Sequence, residues 1–325
     1  MRILVVGGTR FVGRHVVETA LDRGHEVTLL HRGRTGPDLF PAAEHLVADR
    51  DGDLAVLDGR GFDATVDVCA YRPTQVGHLA DALRSRGGQY LYVSTVSAYA
   101  PPTAPGITED AELHTPPGPD VTEVTDDTYG PLKVACEQAA ADRYGDTLVV
   151  IRPTYVVGPH DYTWRFPYWV ARIAAGGRVL CPGDPKAPMQ VIDARDQAAF
   201  MVDLLERGRG GTFHTVSPAP PYGFGDLLDM VAATVAPAGT TLEWVDGARL
   251  LEAGLDDDAL PLWDTTGVDW WAGACDPSRA YAAGLAPRPL PDTVRDTLAW
   301  TATSTRPGHI GVGADRERDL LGRLA

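Results

Sequence analysis

Two hydrophobic periodicities alternate along the first half of the chain. Ile3-Leu4-Val5-Val6 is a continuous apolar run, the pattern of a strand buried on both faces. Gly7-Gly8 follows, and then Val12, Val16, Val17 and Ala20 recur at helical spacing. Arg23-Gly24-His25 closes that helix, because glycine readily takes the left-handed cap. Residues 27–30 predict a second strand, and His45-Leu46-Val47 a third. Residues 65–70 read as a buried strand, and 75–86 as a helix stopped by Gly87-Gly88. Tyr90-Leu91-Tyr92-Val93 is a further strand, running into Ser94-Thr95-Val96-Ser97-Ala98-Tyr99. Residues 101–122, rich in proline, threonine and acid, read as a long loop of the kind that borders active sites. Such alternation predicts an α/β fold, a Rossmann-like doubly wound parallel sheet. Ligands then sit beyond the carboxyl ends of the strands.

The pattern changes after residue 158. His160-Asp161-Tyr162-Thr163-Trp164-Arg165-Phe166 opens a stretch dense in aromatics, and Trp263, Trp270 and Trp271 form a second cluster. Most of these rings are expected in the core, while His160, Trp164 and Arg165 are candidate substrate contacts. Residues 254–270, with Asp256-Asp257-Asp258, read as an irregular loop with a solvated acidic run. The tail from Asp315 to Leu324 reads as a charged amphipathic helix.

Composition narrows the classes. The chain has 325 residues, 44% apolar and 22% charged, which is ordinary globular composition. The formal net charge of −15 opposes nucleic acid and anionic membranes, and no basic run offsets it. No apolar segment is long enough to span a bilayer, and the first residues do not form a signal peptide. Cys69, Cys136, Cys181 and Cys275 show neither a C-x-x-C pair nor metal-ligand spacing. Reduced buried thiols, a cytoplasmic location and no metal are expected, and a homodimer is allowed.

Strand, glycine turn, helix and strand over the first 30 residues form the βαβ unit that binds dinucleotides. A diphosphate needs close backbone approach and the free amides of a helix N-terminus. The turn reads Gly7-Gly8-Thr9-Arg10-Phe11-Val12-Gly13, and these residues (Gly8 as part of the turn) are the candidate phosphate cradle. The second strand ends His31-Arg32-Gly33-Arg34, without the acidic residue that usually accepts the ribose 2′-hydroxyl of NAD. Arg32, Arg34 and Arg10 instead suit a 2′-phosphate, so NADP(H) is favoured and NAD(H) is the alternative. Asp49 and Arg50 follow the third strand, in reach of the adenine end. Cys69, Ala70 and Tyr71 end the next.

Tyr129 and Lys133 are four apart, on one helical face. Pro131 suits a first helical turn, so a helix is expected to start near here. A free phenol ionises near pH ~10. A nearby ammonium and a positive nicotinamide favour the phenolate, which makes the pair a candidate acid–base couple.

The glycine turn, the Ser94-Thr95 strand end and the Tyr129/Lys133 pair occur in the order of the short-chain dehydrogenase/reductase superfamily. The chain resembles its extended or atypical branch, the NAD(P)-dependent epimerases and dehydratases. Val149-Val150-Ile151-Arg152-Pro153-Thr154-Tyr155-Val156-Val157-Gly158-Pro159 and Val191-Ile192-Asp193-Ala194-Arg195-Asp196 are similar to later family segments. The resemblance implies Tyr129 as general acid or base, Lys133 on the nicotinamide ribose, and Pro153 and Tyr155 beside the cofactor. It implies Thr95 on the reacting oxygen, with Ser94 as the fallback. It also implies a nucleotide-binding domain over 1–158, rejoined by 188–216. A smaller C-terminal substrate-binding domain would use 159–187 and 217–325. The expected reaction is hydride transfer at a secondary alcohol or ketone of a sugar-like or polyhydroxylated small molecule, as a reductase or an epimerase. Arg10 replaces a family glycine, as in a subgroup that includes plant chloroplast RNA-associated members. Tyr155 stands where nucleotide-sugar enzymes carry a substrate-binding asparagine. The rival reading is a non-catalytic nucleotide-binding regulatory or RNA-associated protein on the same fold.

Overall fold

A computed structural model describes residues 1–101, 104–265 and 273–324. The chain divides into two units. The first contains residues 1–154, 194–216 and 276–286, and the second 155–193, 217–275 and 287–325.

The first unit is built on seven parallel strands. In chain order they are β1 (Arg2–Val6), β2 (Glu26–His31), β3 (Glu44–Val47), β4 (Ala64–Asp67), β5 (Gln89–Val93), β6 (Val149–Pro153) and β10 (Gly211–Thr215). Their order across the sheet is β3-β2-β1-β4-β5-β6-β10, the doubly wound arrangement in which successive strands spread outward from β1. Ile3, Leu4, Val5 and Val6 are all buried, as expected of a central strand covered on both faces. Helices α1 (Phe11–Asp22) and α5 (Ala194–Glu206) pack together, tied by Arg23 and His25 to Glu206. Helices α2 (Pro73–Leu83) and α3 (Asp126–Tyr144) also pair. Leu4, Val6, Tyr90 and Tyr92 of the strands share one apolar cluster with Val76 and Leu79 of α2 and Cys136 and Ala140 of α3. A short helix, α8 (Ser278–Ala283), returns late in the chain to this unit.

The second unit holds a three-stranded sheet, β7 (Tyr155–Val157), β9 (Pro188–Asp193) and β11 (Ser217–Gly223), and a parallel pair, β8 (Arg178–Pro182) with β12 (Thr241–Val245). Its core lies among α4 (Arg165–Ala174), α6 (Phe224–Val235) and α9 (Leu290–Thr301), with Trp169, Phe166 and Phe224 buried there. The tail helix α10 (Ala314–Leu324) is fixed by its buried Glu317, which accepts from Leu180 N at 2.9 Å and Arg172 Nε at 2.7 Å.

Three expectations shift. Residues 155–158 and 188–193 belong to the second unit, because β7 and β9 pair with each other and not with the seven-stranded sheet. Residues 276–286 belong to the first. Helix α3 starts at Asp126, so Pro131 is its sixth residue, past the first turn. The amide missing at Pro131 would have bonded the Asp127 carbonyl, and Asp127 is exposed to water.

Candidate active site

The chain turns sharply after β1. Gly7 has φ +94, and a Cβ there would lie 2.9 Å from Cys69 Sγ. The Thr9 amide closes the turn on the Gly7 carbonyl at 2.8 Å. Arg10 is exposed and extended, and α1 begins at Phe11, itself at φ 35. Thr9 and Gly13 are buried and Val12 is half-buried. A turn this tight, which a side chain at Gly7 would jam against Cys69, leads straight into the start of a helix, and the free amides that a helix N-terminus offers suit a dinucleotide diphosphate.

At the end of β2, Arg32 and Arg34 are exposed. His31 is buried, and Gly33 N donates to its Nδ1 at 2.9 Å. That leaves His31 Nε2 as the donor to His45 Nδ1 (2.9 Å), and His45 Nε2 as the donor to the Phe40 carbonyl (3.2 Å). Burial, aided by His45, pushes the His31 pKa down, in keeping with this neutral chain. Asp49 is exposed, in a turn where it accepts from Asp51 N. Arg50 is buried, and its guanidinium forks onto Asp67 at 2.7 and 2.6 Å. Burial opposes the Asp67 charge, yet Arg50 outweighs it and holds the carboxyl below its usual range. The Arg50 fork is therefore committed to the end of β4.

The ends of β4 and β5 carry the reactive candidates. Ala70 is buried, Cys69 is half-buried, and Tyr71 is 41% exposed. Helix α3 is capped by Thr125 and Thr128, whose side chains each accept from the other's amide, and Asp126 and Asp127 in its first turn suit the helix dipole. Lys133 is buried one turn beyond Tyr129. Its Nζ donates to the Val93 carbonyl at 2.8 Å and the Ala70 carbonyl at 3.1 Å. The same ammonium faces the Tyr92 ring at 4.3 Å and the Tyr71 ring at 5.2 Å. Burial pulls its pKa down to about 8, against the pull of neighbouring acidic groups. The Tyr71 and Tyr129 rings lie 6.3 Å apart.

The two candidate hydroxyls are held differently. Thr95 Oγ1 accepts from Ser97 N at 3.1 Å and donates to Ser97 Oγ at 3.2 Å. Ser94 Oγ donates to Glu137 Oε1 at 2.5 Å, in a buried setting. Pro153 ends β6 and is buried.

Tyr155, His160, Trp164 and Arg165 lie in the second unit. Tyr155 is half-buried, with the Arg165 guanidinium 5.3 Å from its ring centroid. His160 and Trp164 both have positive φ, at 67 and 58, and both rings meet Trp300. Trp164 is buried, so its indole serves that core, whereas Arg165 is exposed. Trp263 is buried against Gly183 and Gly247, and Trp270 and Trp271 lie outside the described residues. Asp256, Asp257 and Asp258 are exposed.

Sequence reasoning missed Glu137, Arg152 and His214, all buried. Glu137 was detectable as the next position on the Tyr129–Lys133 stripe. Arg152 reaches it from β6, and His214 joins through Tyr99, contacts that no local spacing announces. Among the described residues, no helix is long and apolar enough to cross a membrane, and no group of three or more His, Cys, Asp or Glu could hold a metal.

A parallel sheet in this order, a glycine cradle at β1 and a buried lysine one turn after a tyrosine define a nucleotide-binding enzyme of the extended short-chain dehydrogenase/reductase type. The profile of the NAD dependent epimerase/dehydratase family matches residues 3–216, and the chain belongs to that family. It is 26% identical to 2'-dehydrokanamycin reductase of Streptomyces kanamyceticus, over 100% of this chain and 91% of that protein. It is 25% identical to the chloroplast stem-loop binding protein of 41 kDa b of Arabidopsis thaliana, over 63% of this chain and only 55% of that protein. The fold is similar to that of UDP-glucuronic acid 4-epimerase from Bacillus cereus in complex with NAD. That match has TM-score 0.66 at 15% identity and covers 93% of this chain and 99% of the other.

Proposed function

We propose that this enzyme is an NADP(H)-preferring ketone reductase acting on a sugar-like or polyhydroxylated small molecule, with Tyr129 as its acid. The observation that carries the reading is Lys133, whose buried ammonium is fixed by two strand-end carbonyls one helical turn from Tyr129. The similarity to a reductase along the whole chain supports reduction over epimerisation. Arg32 and Arg34, exposed after β2, support NADP(H) over NAD(H).

Gly7, Thr9, Phe11, Val12 and Gly13 would hold the diphosphate, Arg10, Arg32 and Arg34 the 2′-phosphate, and Cys69, Ala70, Tyr71, Pro153 and Tyr155 the rest of the dinucleotide. When bound, the dinucleotide supplies the hydride. Tyr129 delivers a proton to the carbonyl oxygen as that oxygen gains charge, so ketone, hydride and proton together give the alcohol. Thr95 donates a hydrogen bond to the same oxygen. Lys133 keeps positive charge beside Tyr129 and orients a ribose. His160 and Arg165 are the proposed substrate contacts in the second unit.

The test is NADPH oxidation with 2′-dehydrokanamycin and a panel of polyhydroxylated ketones, for the natural chain and Tyr129→Phe. The variant is expected to lose at least about 10²-fold in kcat while binding NADPH as before. Unchanged turnover in Tyr129→Phe overturns its role. Interconversion of UDP-glucose and its C4 epimer on a retained nucleotide would replace reductase by epimerase.

A further inference from the structure

We propose that Glu137 is a positioning residue for the reaction, clamping the end of β5 to helix α3 through the Ser94 hydroxyl. The proposal rests on the functional reading above and goes beyond its residues. Tyr129, Lys133 and Glu137 are successive positions on one stripe of α3. Three anchors along that stripe tie the helix to residues 93–97. Gly130, next to Tyr129, packs so closely that a Cβ there would lie 2.0 Å from the Ser97 carbonyl oxygen. Lys133 Nζ donates to the Val93 carbonyl. Glu137 Oε1 accepts from Ser94 Oγ. Thr95, the proposed partner of the reacting oxygen, lies between the outer two anchors.

A chain of buried hydrogen bonds runs behind Glu137. Arg152 Nε donates to its Oε1 at 3.0 Å and Nη2 to its Oε2 at 2.5 Å. Arg152 Nη1 donates to Tyr99 Oη at 2.6 Å and to the Glu109 carbonyl at 3.0 Å. Tyr99 therefore spends its own proton on His214 Nε2 at 2.6 Å, and His214 Nδ1 donates to the Asp276 carbonyl at 2.9 Å. Burial pushes the His214 pKa down, consistent with that neutral tautomer. A buried Glu–Arg pair adds little net stability over an apolar pair of the same shape. What it supplies here is a fixed carboxylate at one point of the catalytic stripe, with one lone pair aimed at Ser94.

The experiment uses the full chain with NADPH and 2′-dehydrokanamycin. Ser94→Ala removes one hydroxyl and leaves the Glu137–Arg152 pair whole, so it folds. Its kcat is expected to fall about 10²-fold from lost alignment, with NADPH affinity unchanged. Ser94→Thr, which keeps the hydroxyl, restores most of the rate. The kcat losses of Ser94→Ala and Glu137→Gln are expected to be less than additive in the double variant, because both changes break one clamp. Backbone hydrogen exchange of residues 94–99 and 126–133 in Ser94→Ala is expected to rise about tenfold, with α2 unchanged. Unchanged exchange in those segments overturns the clamp, as does an unchanged kcat in Ser94→Ala. If the natural chain turns over neither ketone nor UDP-glucose, the functional reading fails, and the exchange result alone decides the clamp.

Discussion

At the scale of single residues, the proposed chemistry turns on Lys133. Its ammonium is buried between two carbonyls and two aromatic rings, and burial lowers its pKa to about 8. Above that pH the residue is neutral, and the positive charge beside Tyr129 is gone. The reductive kcat/KM is therefore expected to fall as pH rises through about 8, and a profile flat to pH 10 would contradict the assignment. The same shift has a signature in stability. Between about 8 and the unfolded value near ~10.4 the unfolded chain binds the extra proton, so stability rises with pH across that window. Relative to Lys133→Met, the natural chain is expected to gain roughly 3 kcal/mol from pH 8 to 10.4, measured by denaturant unfolding. A second residue prediction concerns Arg32, exposed after β2. Arg32→Ala is expected to weaken NADPH binding by at least about tenfold while NADH binding changes little, as loss of a charge-assisted phosphate contact requires. Equal loss for both removes its 2′-phosphate role.

At the scale of elements, the question is how β5 and α3 are held in register. The close approach at Gly130 makes that contact sensitive to a single methyl group. Its hypothetical Cβ sits 2.0 Å from the Ser97 carbonyl oxygen, a backbone atom that cannot swing aside. Gly130→Ala is expected to push the first turns of α3 off the 96–98 turn. It should destabilise by about 1–3 kcal/mol and abolish turnover, measured by unfolding and NADPH oxidation together. Wild-type stability and rate would show that the contact relaxes freely. Elements also show which parts of the sequence were readable. The strand at Ile3–Val6, the turn at Gly7 and the cap at Gly24 carry local signals, and each lies where the pattern placed it. Helix α3 starts earlier than a first-turn Pro131 implies, because Thr125 and Thr128 form the cap and the helix tolerates Pro131 as its sixth residue. The Glu137–Arg152–Tyr99–His214 chain carries no local signal, since its members lie far apart in the sequence and meet only in the folded unit. Likewise the pairing of Arg50 with Asp67, 17 residues away, carries no local signal.

At the scale of the molecule, net charge bears on the choice between the proposed small-molecule enzyme and an RNA-associated protein. A net charge of −15 repels a phosphate backbone, and the arginines near the glycine turn are too few to offset it. The likeness to a chloroplast stem-loop binding protein covers 63% of this chain, and the family profile ends at residue 216. The second unit, with its own core around Trp169 and Phe224, is left to set substrate choice in the proposed reading. A stem-loop RNA is therefore expected to give no mobility shift at physiological salt, and salt-dependent binding would revive the RNA-associated alternative. The division into units was only partly legible. Residues 276–286 return to the first unit with no motif to announce it, through His214 and the Asp276 carbonyl.

The measurement that tests the account most directly is an equilibrium titration of the purified, nucleotide-stripped chain with NADPH and with NADH, followed by cofactor fluorescence. The account predicts saturable binding of both, with NADPH the tighter. Binding of neither would contradict the glycine-cradle reading and, with it, the proposed hydride-transfer function.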